Sequence, residues 1–146
     1  EEFGKLPGIG PKTAERLAFH ILKSDAPTAM ALADAIRDVK TKIRRCQVCC
    51  NLSEADLCQV CSDPRRDRSL ICVVEQPKDV ISLEKTGACK WLYHVLGGHI
   101  APLEGVHAGD LTIDKLVERV RSGQAKEIIM ATNPNIEGDG TSLYIS

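Results

Sequence analysis

Four of the seven cysteines fall in two identical tetrapeptides, Cys46-Gln-Val-Cys49 and Cys58-Gln-Val-Cys61, separated by eight residues. Each CxxC turn can chelate, and two that converge supply four thiolates to a tetrahedral ion, for which zinc is the expected metal. Four thiolates leave no open coordination position, so the metal would be structural and would staple a segment too small for a core of its own. A redox dithiol needs one exposed pair in a thioredoxin-like setting, and two copies flanking a short loop do not offer that. Cys50 is a possible substitute ligand, but the symmetry of the two CQVC units argues against it. Cys72 lies inside the apolar run LICVVE and reads as a small buried hydrophobe, whereas Cys89 has no evident role. An odd number of cysteines, four of them at metal spacing, fits a reducing compartment and a cytoplasmic address.

A second chemistry lies near the start, in Leu6-Pro7-Gly8-Ile9-Gly10-Pro11. Gly8 and Gly10 allow a tight turn and a close backbone approach to another molecule, and Pro11 stands where a helix begins. The turn brings free N–H groups and a helix N-terminus to one point, with Lys12 and Arg16 one turn apart on the same face. Such a point favours an anion, and the natural one is a DNA phosphate. The stretch LPGIGPKTAERL resembles the hairpin of a helix-hairpin-helix motif, which would hold the backbone without reading sequence. Lys40, Lys42, Arg44, Arg45, Arg65, Arg66 and Arg68 flank the cysteines and could extend that surface. Only 3% of residues are aromatic, so base stacking is excluded as the main contact.

The elements that must position these groups follow from periodicity. Residues Pro11 to Leu22 and Thr28 to about Val39 repeat apolar side chains at helical spacing, with Pro27 breaking the pattern between them. From Leu70 the pattern alternates: LICVVE as strand, QPKDVISLEK as helix, WLYHVLGG as strand, LTIDKLVERVRSG as helix, EIIMATN as strand. That alternation predicts an α/β fold with a parallel sheet covered on both faces. Residues 1–45 are expected to form a helical hairpin region, 46–69 a four-cysteine finger and 70–146 the sheet domain. Residues 1–70 carry 12 Lys and Arg against 10 Asp and Glu, and residues 71–146 carry 7 against 10, so the two halves suit different partners. No apolar run reaches the length of a membrane span and no signal peptide is evident. The chain starts without Met and stops inside the apolar LYIS, so both ends read as cut.

A strand ending in Glu75 and a later one ending in Ala131-Thr132-Asn133, followed by Pro134-Asn135-Ile136-Glu137-Gly138-Asp139, resembles the Toprim fold. In that family a glutamate at the first position acts in acid–base chemistry and a DxD pair holds Mg²⁺. Here the pair reads Asn133-x-Asn135, and two neutral amides remove the charge a hard, slowly dehydrating ion needs. Glu75, Glu137 and Asp139 remain as a thinner acidic cluster suited to a basic partner. The alternative, a Mg²⁺-dependent Toprim nuclease or topoisomerase, lacks both the aspartate pair and a nucleophilic tyrosine, since Tyr93 and Tyr144 sit in apolar segments expected in the core. A zinc-ribbon interaction module that does not touch DNA is a third reading. His20, His94, His99 and His107 show no metal-binding spacing and read as structural or solvated.

The order hairpin, four-cysteine site, Toprim sheet resembles the RecR family of bacterial recombination mediators over essentially the whole chain. The most specific segments are LPGIGPKTAERLAFHIL, CQVCCNLSEADLCQVCSDPRRDRSLICVVE, KWLYHVLGGHIAPLEG and ATNPNIEGDGTSLYIS. The resemblance implies a non-enzymatic DNA-binding protein that assembles as a dimer or tetramer into a ring or clamp, works with RecO and RecF, and helps load RecA on gapped DNA. It also implies that Lys12 and Arg16 contact DNA, that Cys46, Cys49, Cys58 and Cys61 bind zinc, and that Glu137 contacts RecO. Family members are longer at both ends, with more helix before the hairpin and a C-terminal segment used in assembly.

Overall fold

The computed structural model describes residues 1–146, which divide into two compact units, Glu1–Lys42 and Ile43–Ser146. In the first, a 3-10 turn over Glu2–Lys5 leads into the glycine turn, where Gly8 takes φ +79° and the Ile9 N–H returns to the Leu6 carbonyl at 3.1 Å. Helix α1 spans Pro11–Lys23 and closes at Ser24, whose N–H and hydroxyl both donate to the His20 carbonyl. Helix α2 spans Ala26–Thr41 and is therefore longer at each end than the Thr28 to Val39 pattern. Pro27 does not interrupt it. The proline sits in the first turn, where its missing N–H has no carbonyl to meet, and Asp25 caps the turn by accepting from the Thr28 N–H. No side chain of this unit is buried: Leu22 is 77% exposed, Ile36 60% and Val39 61%.

The second unit opens with a two-stranded ribbon, β1 (Arg44–Arg45) antiparallel to β2 (Leu52–Ser53), and a short helix α3 (Gln59–Ser62). Then follow β3 (Asp67–Val74), α4 (Pro77–Glu84), β4 (Trp91–Val95), α5 (Ile113–Arg121), β5 (Glu127–Met130) and α6 (Ile136–Ile145). The three long strands form a parallel sheet in the order β4–β3–β5, as the strand–helix alternation predicts. The central strand begins at Asp67, ahead of its apolar run, because the Asp67 N–H donates to the Lys90 carbonyl and extends the ladder.

Strand β3 distributes its residues between two cores. Cys72 and Val74 face Val80, Tyr93 and Val95 together with the finger cysteines, while Ile71 and Val73 face Leu96, Leu111, Ile113 and Leu116. Both faces are thus covered, one by α4 and the finger and the other by α5. Helix α6 is absent from the periodic pattern, since Gly138, Gly140 and Ser142 dilute it; Asn135 starts it by accepting from the Gly138 N–H at 2.7 Å. Tyr93 is buried as expected and donates its hydroxyl proton to Glu84 at 2.8 Å. Tyr144 is not in the core: it lies on the outer face of α6, 62% exposed.

Candidate metal centre and nucleic-acid interface

The two CQVC turns meet. The Sγ atoms of Cys46, Cys49, Cys58 and Cys61 all lie within 4.8 Å of one another, and each residue is 4% exposed or less. Zinc–thiolate bonds of about 2.3 Å at tetrahedral angles put sulfurs roughly 3.8 Å apart, so the four residues need only small side-chain shifts to hold Zn²⁺. Sulfurs this close cannot all ionise in a buried pocket unless a cation neutralises them. Backbone groups already point at them: the Cys58 N–H donates to Cys46 Sγ at 3.4 Å and the Cys61 N–H to Cys58 Sγ at 3.5 Å. Hydrogen bonds from the Cys49 and Cys61 sulfurs shift the Cys58 thiol downward from its usual range. Cys50 is buried but outside the set, because its left-handed backbone, φ +62°, ends the first chelating turn and carries its side chain away.

The finger is fastened to the sheet. The Val95 N–H donates to the Cys49 carbonyl at 2.8 Å across the outer edge of β4, and Arg68 Nη2 donates to the Cys61 carbonyl at 3.3 Å. Burial raises the Cys72 thiol to about 11, which suits the apolar role read from its strand. Cys89 is half-buried and donates to the Leu83 carbonyl.

The basic residues around the finger mostly serve the fold. Arg44 pairs with Asp56, Arg65 with Asp63, and Arg66 makes two bonds to Glu84, at 2.8 and 2.6 Å, while its side chain is only 14% exposed. Lys42 is tied to Asp38. The expected free phosphate surface around the cysteines is reduced accordingly: carboxylates close in space hold these cations, and sequence distance hides that (Arg66 and Glu84 are 18 residues apart). Lys40 and Arg45 are exposed and have no ion pair, and neither have Lys12 and Arg16. The latter two are exposed on α1 and neither has a carboxylate or carbonyl partner. Gly10, the N-cap, provides no side chain to the first turn, so the N–H groups of Lys12 and Thr13 stay open beside the two cations.

The acidic cluster is divided. Glu137 and Asp139 are exposed on the first turn of α6, but Glu75 is 2% exposed at the end of β3. Its Oε1 accepts from the Asn133 N–H at 2.8 Å, and its Oε2 accepts from Asn133 Nδ2 at 2.7 Å and from His99 Nδ1 at 3.0 Å. The hydrogen bond to Glu75 raises His99 above the usual imidazole range, and the Glu137 and Glu104 carboxylates add to the shift. Neither His99 nor Thr141, whose hydroxyl accepts from the Ile100 N–H, is marked in the sequence as part of this site. The available signal is position: the C-terminal ends of parallel strands converge there.

Comparison with known proteins assigns each part. Residues 1–40 match the helix-hairpin-helix of RecR, residues 43–63 the four-cysteine zinc finger domain of RecR, and residues 69–146 a Toprim domain. Recombination protein RecR of Rhodopirellula baltica is 61% identical over 146 residues, covering 100% of this chain and 73% of the relative. The RecR proteins of Chloroflexus aurantiacus and Rubrobacter xylanophilus are 54% and 53% identical over 145 residues, or 99% of this chain and 71% and 73% of theirs.

Proposed function

The chain belongs to the RecR family of recombination proteins, and on that premise we propose that it is a non-enzymatic mediator of DNA repair. It grips the DNA backbone through its hairpin and presents an acidic surface to protein partners. The observation that carries this reading is that Lys12 and Arg16 stand unpaired beside an uncapped helix N-terminus, whose open N–H groups add to the two cations, whereas Arg44, Arg65 and Arg66 are held by carboxylates and the unpaired Lys40 and Arg45 have no such turn beside them. Backbone phosphates of either strand satisfy such a point, with no base edge read.

The non-enzymatic part rests on how the Toprim residues are used. A general base needs to reach its substrate, but the Glu75 carboxylate is 2% exposed and its oxygens already accept three protein donors. Asn133 is one of those donors and Asn135 caps α6, so both amides at the metal-binding positions have structural tasks. In this reading RecO contacts Glu137 and Asp139, RecF is the second partner, and the complex helps load RecA on gapped DNA. Residues 1–45 bind DNA, 46–69 hold the zinc and 70–146 meet partners. In this reading the protein works as a dimer or tetramer closing a ring, and the exposed Phe19, Leu22, Ile36 and Val39 of the first unit are an apolar surface that a second copy could cover. Its reduced thiols suit the cytoplasm.

The test is Lys12→Ala with Arg16→Ala, read by DNA affinity at several salt concentrations. The variant is expected to bind more weakly on every sequence, with a log–log salt slope shallower by about one per lost contact, and to keep its zinc. An unchanged slope counts against the hairpin as the DNA contact. Nicking of supercoiled DNA with Mg²⁺, lost in Glu75→Gln, would instead favour a Toprim enzyme.

A further inference from the structure

Glu75 occupies the acid–base position of the Toprim sheet yet touches no surface. What it holds is informative. Its main-chain carbonyl accepts from the Gly97 N–H at 2.9 Å, and its carboxylate binds Asn133 and His99, so one residue joins the ends of β3, β5 and the loop after β4. Both outer segments then grip the first turn of α6. A Cβ on Gly138 would collide with the Asn133 carbonyl, so this turn lies directly on the segment Glu75 holds. Thr141, fully buried, donates to the Glu137 carbonyl at 2.7 Å and accepts from the Ile100 N–H at 2.8 Å, next to His99.

We propose that Glu75 is a positioning residue: its carboxylate fixes Asn133 and His99, and through them the turn of α6 that presents Glu137 and Asp139 to a basic protein surface. The inference rests on the acidic-turn reading of the partner site. It assigns the former catalytic carboxylate a different task, in which ionisation is still required because only the carboxylate accepts all three donors. Loss of that charge leaves His99 Nδ1 and Asn133 Nδ2 facing an amide that donates as well as accepts.

The experiment compares four proteins in the full chain, each titrated with purified RecO and followed by amide hydrogen exchange. Glu75→Gln is expected to weaken binding about tenfold, the loss of one to two charge-assisted hydrogen bonds. It is also expected to speed exchange at Gly138 and Asp139, with zinc content and protection in β3 unchanged. Adding Asn133→Asp returns one carboxylate and one amide to the pair and is expected to recover part of both signals. Glu137→Gln with Asp139→Asn tests the surface itself; wild-type binding there overturns the acidic-turn reading, whatever Glu75 does. If that variant loses binding while Glu75→Gln keeps it, the positioning role alone is overturned. Weakened binding by Glu75→Gln with unchanged α6 exchange also overturns it, since that is a direct contact. If Glu75→Gln loses β3 protection, His99→Ala, which removes only the half-exposed member, takes its place under the same criteria.

Discussion

His94 and His99 lie five residues apart and respond to acid in opposite directions. His94 is fully buried, Nε2 donates to the Thr112 carbonyl at 3.0 Å, and burial lowers its pKa to about 4. A base depressed in the folded state costs nothing above its unfolded pKa near 6.5, where both states are neutral. As pH falls below that value the unfolded chain takes the proton first, and stability falls by about 1.4 kcal/mol per pH unit until about pH 4. His99 is raised by its bond to Glu75, so its contribution is complete below the unfolded pKa and is lost as pH rises through the folded one. The melting temperature is therefore expected to drop between pH 6.5 and 4, and His94→Gln is expected to flatten that limb; zinc content measured alongside separates the effect from metal release. His99→Gln should leave the acid limb in place and flatten the alkaline side.

Helix α6 carries two glycines with opposite physics. Gly138 is buried against the Asn133 carbonyl and tolerates no side chain, while a Cβ at exposed Gly140 meets nothing within 4 Å. Gly138→Ala is expected to destabilise by more than about 1 kcal/mol and to loosen the acidic turn, because a backbone atom has to move. Gly140→Ala is expected to stabilise by up to about 1 kcal/mol through helix propensity alone. Denaturant titration of both variants checks the signs. The finger is an element of the same kind, defined by what it leans on. Its cysteines share a core with Cys72, Val74, Tyr93 and Val95, and the Cys49 carbonyl takes up an edge N–H of β4. Removal of zinc with a chelator is therefore expected to lower the melting temperature of the sheet itself, in one transition with the finger. Two separate transitions in calorimetry would contradict that.

At the scale of the whole molecule, the two units differ in what they can do alone. Ile43–Ser146 has two cores and a metal site, whereas Glu1–Lys42 buries no side chain. A peptide of residues 1–42 is expected to show helicity that rises with its concentration, since only association covers its apolar faces; concentration-independent circular dichroism would show that the hairpin folds by itself. The sequence alone determined the features whose physics is local. Four cysteines at CxxC spacing define a zinc site because the ligands of each half lie within one turn, and alternation of apolar strands with helices defines the parallel sheet. Helix α6 escaped periodicity because two glycines and a serine dilute its apolar stripe, leaving Asn135 as its one local signal. Tertiary structure decided which charges are spoken for. Arg66 and Glu84 are 18 residues apart, Glu75 and His99 24, Glu75 and Asn133 58, and no sequence period links them. A carboxylate's freedom to react, or a cation's to bind phosphate, depends on the donors and acceptors the fold places within about 3 Å of it, and chain order does not encode that distance.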